Sequence, residues 1–346
     1  MKRSLGYFML LVLLLILGVS SSEQAMRWTS QVRYQETGIL GSDKYRFGDL
    51  YGLTYLPDFR IEKDNSLLSN QYQVDHTRDM DLYILGDSYL FSYIQMDTSN
   101  FARSKQVVFR KWSDDDKSPI VIHPSKRKKV LLIESVQRNV WTVIDILLIK
   151  SHLEGFKSPL PWNEALNATL TDAIYDANLE QNIDFTLFDF QLFSPLKSLK
   201  AQWNRALFNR IEQDVVLSKD HQYLYMKETV DSLQKGSSFY PIRTAEVNEL
   251  ITRMATIQKY AISRGFDEVV FSFIPNPVSI TQTEGRLDNQ LNQKLVDKYG
   301  ERFRFLDPTP VLLQGGKKYF FQSDSHWNQM GAKQWLGQLN QFLLNR

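Results

Sequence analysis

Short apolar runs of strand length alternate with helical patterns along most of the chain, and this alternation constrains the fold more than any other feature. The strand candidates are 82–85, 106–112, 129–134, "DEVVFSFIPN" and "RFRFLDPTP". Between them, "TAEVNELITRMATIQKYAISRG" has apolar residues three and four apart and predicts a helix with Gly265 at its C′ position. The stretch around Tyr89–Met96 and the segment "VWTVIDILLIKSHL" are also read as helices. Strands that alternate with helices are typical of a parallel α/β sheet with helices on both faces.

The middle of the chain, at about 156–242, does not keep this alternation. "PWNEALNATLTDAIYDANLEQ" and "SPLKSLKAQWNRALFNRI" read as helices, and "HQYLYMKE" as a possible strand. We interpret this region as an inserted, mostly helical subdomain within one α/β domain that covers residues 26–346. In open α/β sheets the functional site lies beyond the carboxyl ends of the strands, where such insertions form walls.

The first 25 residues predict a signal peptide or a membrane anchor. Lys2 and Arg3 precede an uncharged run at residues 5–19, and positive charge ahead of an apolar run favours export of the residues after that run. The run is short for a spanning helix, which needs roughly 20 apolar residues. The alternatives are an uncleaved anchor at 5–19 in the cytoplasmic membrane, a cleaved signal, and a buried soluble helix. The first two place the domain in the periplasm or at the cell surface.

Composition excludes several functional classes. The net charge is +2 with acids and bases intermixed, so nothing indicates a nucleic-acid partner. The absence of cysteine excludes disulfides, thiolate metal sites and a cysteine nucleophile. The histidines form no spaced cluster with other ligands, so we predict neither a metal nor another cofactor.

The segment "LYILGDSYLF" carries the first candidate catalytic residue. A strand that breaks at Gly86 and Asp87 and resumes as a helix puts Ser88 near a helix N-terminus. There its backbone N–H can face an oxyanion that forms on its own hydroxyl. Asp87 or Ser88 could equally be an N-cap, which these residue types favour. This stretch alone leaves both readings open.

The segment "YFFQSDSHWNQMGAKQWLGQL" carries the second candidate. A serine nucleophile needs a base, and the base needs an orienting carboxylate. Asp324 and His326 are two residues apart, so the carboxylate can reach Nδ1 of the imidazole while Nε2 faces outward. The alternatives are a capping aspartate beside an incidental surface histidine, or two metal ligands.

Together, these motifs resemble the SGNH (GDSL-like) hydrolase superfamily, whose GDS block is similar to Gly86-Asp87-Ser88 here. "DSHWNQMGA" is similar to the D-x-H-W-N-x-x-G pattern of the alginate O-acetyltransferase-like branch, which includes the DHHW proteins; ordinary SGNH esterases usually carry D-x-x-H. "VLLIESVQRNV" and "FSFIPNP" are similar to further segments of that branch. The resemblance covers roughly residues 80–140 and 243–346.

The resemblance implies a three-layer α/β/α fold and a Ser88–His326–Asp324 triad. Members of the branch acylate, usually acetylate, hydroxyls of extracellular polysaccharides or cell-wall polymers. A partner of the membrane-bound O-acyltransferase class delivers the acyl group. The first hypothesis is therefore an extracytoplasmic O-acyltransferase. The alternatives are a carbohydrate esterase with the same triad, and a non-catalytic glycan-binding or assembly protein on this scaffold.

Further site residues are less sharply defined. The G-x-N-D block that usually supplies an oxyanion donor is missing, so the candidates are the Ser88 N–H and the side chain of Arg138 or Asn139. Arg138 could instead form a structural ion pair with Glu134. Candidate substrate-binding residues are Tyr89 and Trp327, whose rings could stack on a sugar or belong to the core, and Asn276.

Overall fold

The computed structural model describes residues 2–29, 39, 41, 43–63, 79–91, 96, 98–112, 119–154, 177–189, 191–282, 288–299 and 302–344. The chain forms two compact units. One comprises Met1–Lys63 and Ser158–Glu212, and the other comprises Asp64–Lys157 and Gln213–Arg346. Most of the region that breaks the strand–helix alternation therefore groups with the N-terminal residues, whereas 213–242 belong to the unit that carries the sheet.

The second unit is an α/β domain built on a five-stranded sheet with the order β2-β1-β3-β6-β7. All the pairings in this sheet are parallel. The strands of the described chain are β1 Met80–Gly86, β2 Ser104–Lys111, β3 Lys128–Val136, β4 Val215–Leu217, β5 Leu224–Met226, β6 Glu268–Ile274 and β7 Arg304–Leu306. β4 and β5 form a separate antiparallel pair. The predicted parallel α/β sheet is confirmed.

The burial of the strands follows their place in the sheet. Every residue of β1 and β6 is buried, as is β3 from Val130 onward, which matches the continuous apolar runs of central parallel strands. The edge strand β2 is mostly half-buried. The chain order reverses between β1 and β3, and open α/β sheets bind ligands at the carboxyl ends of strands at such a switch point.

Helices pack on both faces of the sheet. In the second unit they are α5 Ser88–Phe91, α6 Val140–Val143, α7 Ile146–Glu154, α10 Lys227–Val230, α11 Thr244–Ser263, α12 Pro277–Thr281, α13 Leu291–Tyr299, α14 Thr309–Gly315 and α15 Gln329–Leu344. Phe271 and Phe273 share a core with buried residues of α11, including Leu250. Because side chains alternate along a strand, Ser272 faces the opposite side, where its Oγ accepts a hydrogen bond from Trp335 Nε1 of α15 at 3.1 Å.

Two predicted helices differ from the structure. The helical pattern "VWTVIDILLIKSHL" forms two helices, α6 and α7, instead of one. The break occurs because Asp145 accepts hydrogen bonds from the N–H groups of Leu147 and Leu148, at 2.8 and 3.3 Å, and so caps a new helix. The helix predicted around Tyr89–Met96 is described only as α5, since residues 92–95 lie outside the described part of the chain.

The first unit is helical where it is described. Its helices are α1 Lys2–Ser20, α2 Glu23–Thr29, α3 Asp43–Phe47, α4 Asp49–Thr54, α8 Ala177–Asp184 and α9 Ser194–Phe208. Asn182 Nδ2 donates to the carbonyl of Ser20 at 2.9 Å and joins α8 to α1. The helix predicted at 161–181 lies mostly outside the described residues, whereas α9 confirms the helix predicted from "SPLKSLKAQWNRALFNRI".

The apolar run at residues 5–19 lies within α1, and most of its large side chains are exposed, such as Leu5 at 64%. Over the described ranges, no helix meets the length and hydropathy that a membrane crossing requires. The structure therefore gives no support to the predicted anchor, and export remains a prediction.

Candidate active site

Ser88 lies at the carboxyl end of β1, and Asp87 holds the turn before it. Asp87 Oδ1 accepts a hydrogen bond from the Tyr89 N–H at 2.9 Å, and Oδ2 accepts one from the Val136 N–H at the end of β3 at 2.7 Å. Asp87 is therefore the residue that caps the turn, a role that Asp and Asn side chains often play. The Ser88 hydroxyl does not serve as the cap and faces another segment of the chain.

That segment is the loop before α15. Ser88 Oγ lies 2.7 Å from His326 Nε2, although the two residues are 238 apart in the chain. His326 Nδ1 lies 2.7 Å from Asp324 Oδ1, which also accepts the His326 backbone N–H at 3.1 Å. Asp324 and His326 are buried, with 1% and 6% of their surface exposed, whereas Ser88 is half-buried. The three side chains form the hydrogen-bonded series of a nucleophile, a base and an orienting carboxylate.

The sequence around His326 explains how the loop is held. Asn328 Oδ1 accepts the N–H groups of Met330 and Gly331 at 2.9 and 3.2 Å and caps α15. Gly331 is required because a Cβ atom there would lie 2.5 Å from the carbonyl oxygen of Tyr319. Thus the asparagine and glycine of "HWNQMG" fix the start of the helix that follows the base.

Tyr89 and Trp327, which were candidates for binding a sugar, join the two halves of the triad. Tyr89 Oη donates to the carbonyl of Ser325 at 2.6 Å, and Trp327 Nε1 donates to the carbonyl of Tyr89 at 3.0 Å. The Tyr89 ring lies 4.9 Å from the His326 ring and 5.2 Å from that of Trp327. Because Tyr89 is 1% exposed and Trp327 is fully buried, neither presents a ring face to solvent. Their placement agrees with the core alternative.

Asn276, the third candidate for substrate binding, is also fully buried. Its Oδ1 accepts the backbone N–H of Arg138 at 3.2 Å, and its Nδ2 donates to the Gly236 carbonyl at 3.0 Å and to Ser238 Oγ at 3.2 Å. Gly236 lies against Arg138 so closely that a Cβ atom would be 2.5 Å from the Arg138 carbonyl oxygen. Asn276 therefore ties the segment after β3 to the segment at 236–238 and has no surface for a ligand.

The three candidate oxyanion donors lie in different surroundings. The Ser88 N–H makes no hydrogen bond to another described residue. The Arg138 guanidinium lies 5.9 Å from the centre of the Tyr89 ring, and its Nε is 3.5 Å from Glu228 Oε1. The Asn139 side chain is half-buried just before α6. The Ser88 N–H thus remains the candidate donor nearest in the chain to the Ser88 hydroxyl.

Glu134 contributes a buried carboxyl group that the sequence suggested only as an ion-pair partner of Arg138. Its Oε2 accepts the Asp87 N–H at 3.0 Å, and its Oε1 has no hydrogen-bond partner among the described residues. Complete burial, and then the charge of Asp87, raise the pKa of Glu134 well above its ordinary value, against the opposing effects of the Asp87 N–H and Arg138. The signal available in the sequence is a single acid at the end of an apolar run, "KVLLIE".

Replacing Glu134 with glutamine is expected to stabilise the protein increasingly as the pH rises. The folded protein holds the Glu134 proton more tightly than the unfolded chain, so the proton's contribution to the free energy of unfolding is full below the unfolded pKa near 4.5. That contribution is lost as the pH rises toward the folded pKa. Glutamine does not titrate, so the variant has no such loss. Urea unfolding at about pH 5 and about pH 8 should show the advantage of the variant growing by on the order of 1 kcal/mol.

The matched control is Glu249→Gln, because Glu249 is half-exposed and, among the described residues, pairs only with Arg253 one turn further along α11. Its effect on the free energy of unfolding should change little over the same pH range. If Glu134→Gln and the control gave the same pH dependence, the raised pKa of Glu134 would be contradicted.

Comparison of the chain with family models, with curated proteins and with solved structures finds no match. The geometry of the site is therefore the observation that bears on its chemistry. It joins a serine hydroxyl, an imidazole and a buried carboxylate, an arrangement suited to nucleophilic catalysis.

Proposed function

We propose that this protein is a serine-dependent O-acyltransferase that passes an acyl group, most simply acetyl, through Ser88 to a sugar hydroxyl. The observation that carries the proposal is the pair of 2.7 Å contacts, from Ser88 Oγ to His326 Nε2 and from His326 Nδ1 to Asp324 Oδ1. Both distances lie within the range of well-formed hydrogen bonds between nitrogen and oxygen.

In the first half-reaction, Ser88 Oγ attacks the acyl carbonyl while His326 Nε2 takes the hydroxyl proton. Asp324 accepts the Nδ1–H, keeps the imidazole in the required tautomer and stabilises the imidazolium. As the tetrahedral intermediate collapses, the bond to the leaving group breaks and His326 returns the proton to it. The product is an acyl-serine ester.

In the second half-reaction, an acceptor hydroxyl attacks the ester carbonyl and His326 Nε2 takes its proton. Collapse breaks the bond to Ser88 Oγ, which regains the proton from His326. We assign stabilisation of the oxyanion in both steps to the Ser88 N–H, with the cation of Arg138 or the amide of Asn139 as the second donor. One such donor is typically worth about 2.7–4 kcal/mol of barrier.

The proposed acceptor, acyl supplier and location of the protein rest on its sequence motifs. The strand–Gly-Asp-Ser turn and the Asp-x-His-Trp-Asn segment resemble those of SGNH hydrolases and of the alginate O-acetyltransferase-like branch. We infer a three-layer arrangement of that kind for the sheet-bearing unit and a polysaccharide or cell-wall polymer as acceptor. A membrane-bound O-acyltransferase would supply the acyl group. Residues 1–25 would direct the chain out of the cytoplasm, to the periplasm or cell surface, as a signal or anchor.

The test incubates the purified full chain in detergent with p-nitrophenyl acetate and an oligosaccharide, and mass spectrometry then follows acetylation of the sugar. We expect acetylated oligosaccharide with the native chain and none with His326→Ala. Release of acetate without acetylated sugar would contradict transfer and indicate an esterase. A chain that no fluorophosphonate labels would contradict serine chemistry altogether and favour a non-catalytic binding protein.

A further inference from the structure

A cavity of about 360 Å³ lies at the same edge of the sheet as the triad. Its lining includes Gln137, Pro275 and Asp307, which directly follow β3, β6 and β7. Ser88 is the second residue after β1, and β1 is separated from β6 by β3 alone. Since neighbouring strands are about 4.8 Å apart, the part of the cavity at the end of β6 lies about 10 Å along the sheet edge from the end of β1.

The polar side chains of the cavity offer both donors and acceptors. They are amides, hydroxyls and two carboxylates, among them Gln137, Asp288, Asn292, Asp307 and Thr309. Asp307 Oδ1 accepts hydrogen bonds from Asn292 Nδ2 at 3.0 Å and from the Thr309 N–H at 2.9 Å, which fixes its orientation. Such a mixture suits a ligand with several hydroxyl groups, since each hydroxyl both donates and accepts.

The rest of the lining is apolar. Phe239, Pro275, Val278 and Leu313 belong to it, and Leu313 is 54% exposed. Pockets for small ligands commonly combine apolar walls with a few placed polar groups that fix orientation. A ligand with hydroxyls at its edges and C–H groups on its faces, such as a sugar ring, matches both parts of this lining.

The charged residues of the cavity also limit which ligands it can bind. The described residues that line it include two aspartates and no lysine, arginine or histidine. Burial, and in smaller part the charge of Asp307, raise the pKa of Asp288, whereas Ser279, the Gln290 N–H and the nearby Lys294 favour its ionised form. A ligand carboxylate or phosphate would meet like charge here without a cationic partner among the described lining residues, and like-charge contacts disfavour binding.

We propose that this cavity binds a neutral glycosyl residue and rejects uronate and phosphate-bearing sugars. The inference deepens the proposed function. It rests on that function only where it assigns the bound sugar unit to the acceptor polysaccharide. An acceptor polysaccharide with one sugar unit in the cavity could extend along the carboxyl ends of β6 and β3 and place another sugar unit at Ser88. The acceptor polymer would accordingly be neutral at the bound position.

The test measures binding and needs no turnover. The full chain carrying Ser88→Ala is titrated in a calorimeter with neutral glucan, mannan, galactan and N-acetylglucosamine oligomers, and with an oligogalacturonide. We expect saturable binding of at least one neutral oligomer, about tenfold or more tighter than that of the oligogalacturonide, a difference of about 1.4 kcal/mol. Absence of binding by every neutral oligomer, or equal binding of the anionic one, would overturn the proposal.

Two variants locate the binding. Leu313→Arg adds a cation at the cavity and should weaken the neutral oligomer about tenfold while strengthening the oligogalacturonide. Asp288→Asn removes a charge and should reduce the preference for the neutral ligand. The control is Leu147→Arg, the same change at an exposed leucine of α7 that does not line the cavity. Equal effects of Leu313→Arg and Leu147→Arg would refute the assignment.

This result is separable from the proposed reaction. Fluorophosphonate labelling of Ser88 in the otherwise native chain tests the triad and does not depend on the cavity. Binding without labelling would leave the cavity assignment standing and remove the acyltransferase. Labelling without binding of any neutral oligomer would leave the proposed acyltransferase standing and remove the cavity assignment.

Discussion

Replacing Ser88 with alanine is expected to lower the rate of acyl transfer by about 10⁶-fold, the scale on which loss of a serine nucleophile acts in such triads. The variant lacks the oxygen that forms the covalent ester, so only binding and oxyanion stabilisation remain. The fold should persist because Asp87, not Ser88, holds the turn through its bonds to the N–H groups of Tyr89 and Val136. Initial rates of sugar acetylation, with thermal unfolding alongside, provide the measurement.

Combining Ser88→Ala with His326→Ala tests whether the two side chains act together in the reaction. Because the hydroxyl and the imidazole act as one unit, the double variant should be no slower than either single variant within about threefold. Ser263→Ala is the control, since Ser263 is exposed at the end of α11 and its hydroxyl donates to the Tyr260 carbonyl at 2.6 Å. Additive losses would show that Ser88 and His326 act independently, and a Ser88→Ala protein that retains acyl transfer would show that the reaction uses another nucleophile.

Replacing Asp324 with asparagine is expected to cost about 10⁴-fold in kcat while the geometry is largely kept. Asp324 Oδ1 accepts from both the ring Nδ1 and the backbone N–H of His326. An asparagine that turned its NH₂ toward Nδ1 would favour the tautomer with the proton on Nε2, and that nitrogen could then not accept the proton of Ser88. Steady-state kinetics and fluorophosphonate labelling rates should fall together.

The matched control for Asp324→Asn is Asp220→Asn. Asp220 forms its ion pair with Lys317 on a partly exposed surface, where a single pair contributes about 0–1 kcal/mol to stability. Its removal should leave kcat unchanged within about twofold. If Asp324→Asn retained activity within about tenfold of the native chain, the carboxylate would not orient the base, and the Ser325 hydroxyl, 3.3 Å from Nδ1, would be the next candidate.

The sequence predicted the central strands and the pairing of Asp324 with His326 because both depend on local signals, whereas the meeting of Ser88 with His326 was implied only by the family resemblance. β1, β3 and β6 are apolar runs that end at Gly86, near Glu134 and before Pro275, and each was found within a few residues of its prediction. Spacing within a segment also determined that Asp324 could orient His326. Neither signal requires knowledge of which segments meet in the fold.

Roles that depend on contacts between distant segments were not predictable in this way. Asn276 was expected at the substrate, yet its side chain joins the residues around Gly236 to Arg138, which lies 138 residues before Asn276 in the chain. Tyr89 likewise bonds Ser325, 236 residues away. The cavity beside β6 and β7 was missed for the same reason, since its lining comes from five or more separate segments.

The span of 238 residues between Ser88 and His326 has a consequence for how the activity disappears under denaturing conditions. No single stretch of chain contains the site, and closing so long a loop carries an entropy cost that only the assembled sheet offsets. The loop of His326 is also fastened to that sheet, through buried Trp327 packed on Trp335 and through the bond of Trp335 to β6. Enzymatic activity should therefore serve as a reporter of cooperative unfolding, lost at the same denaturant concentration as the secondary structure of the sheet-bearing unit.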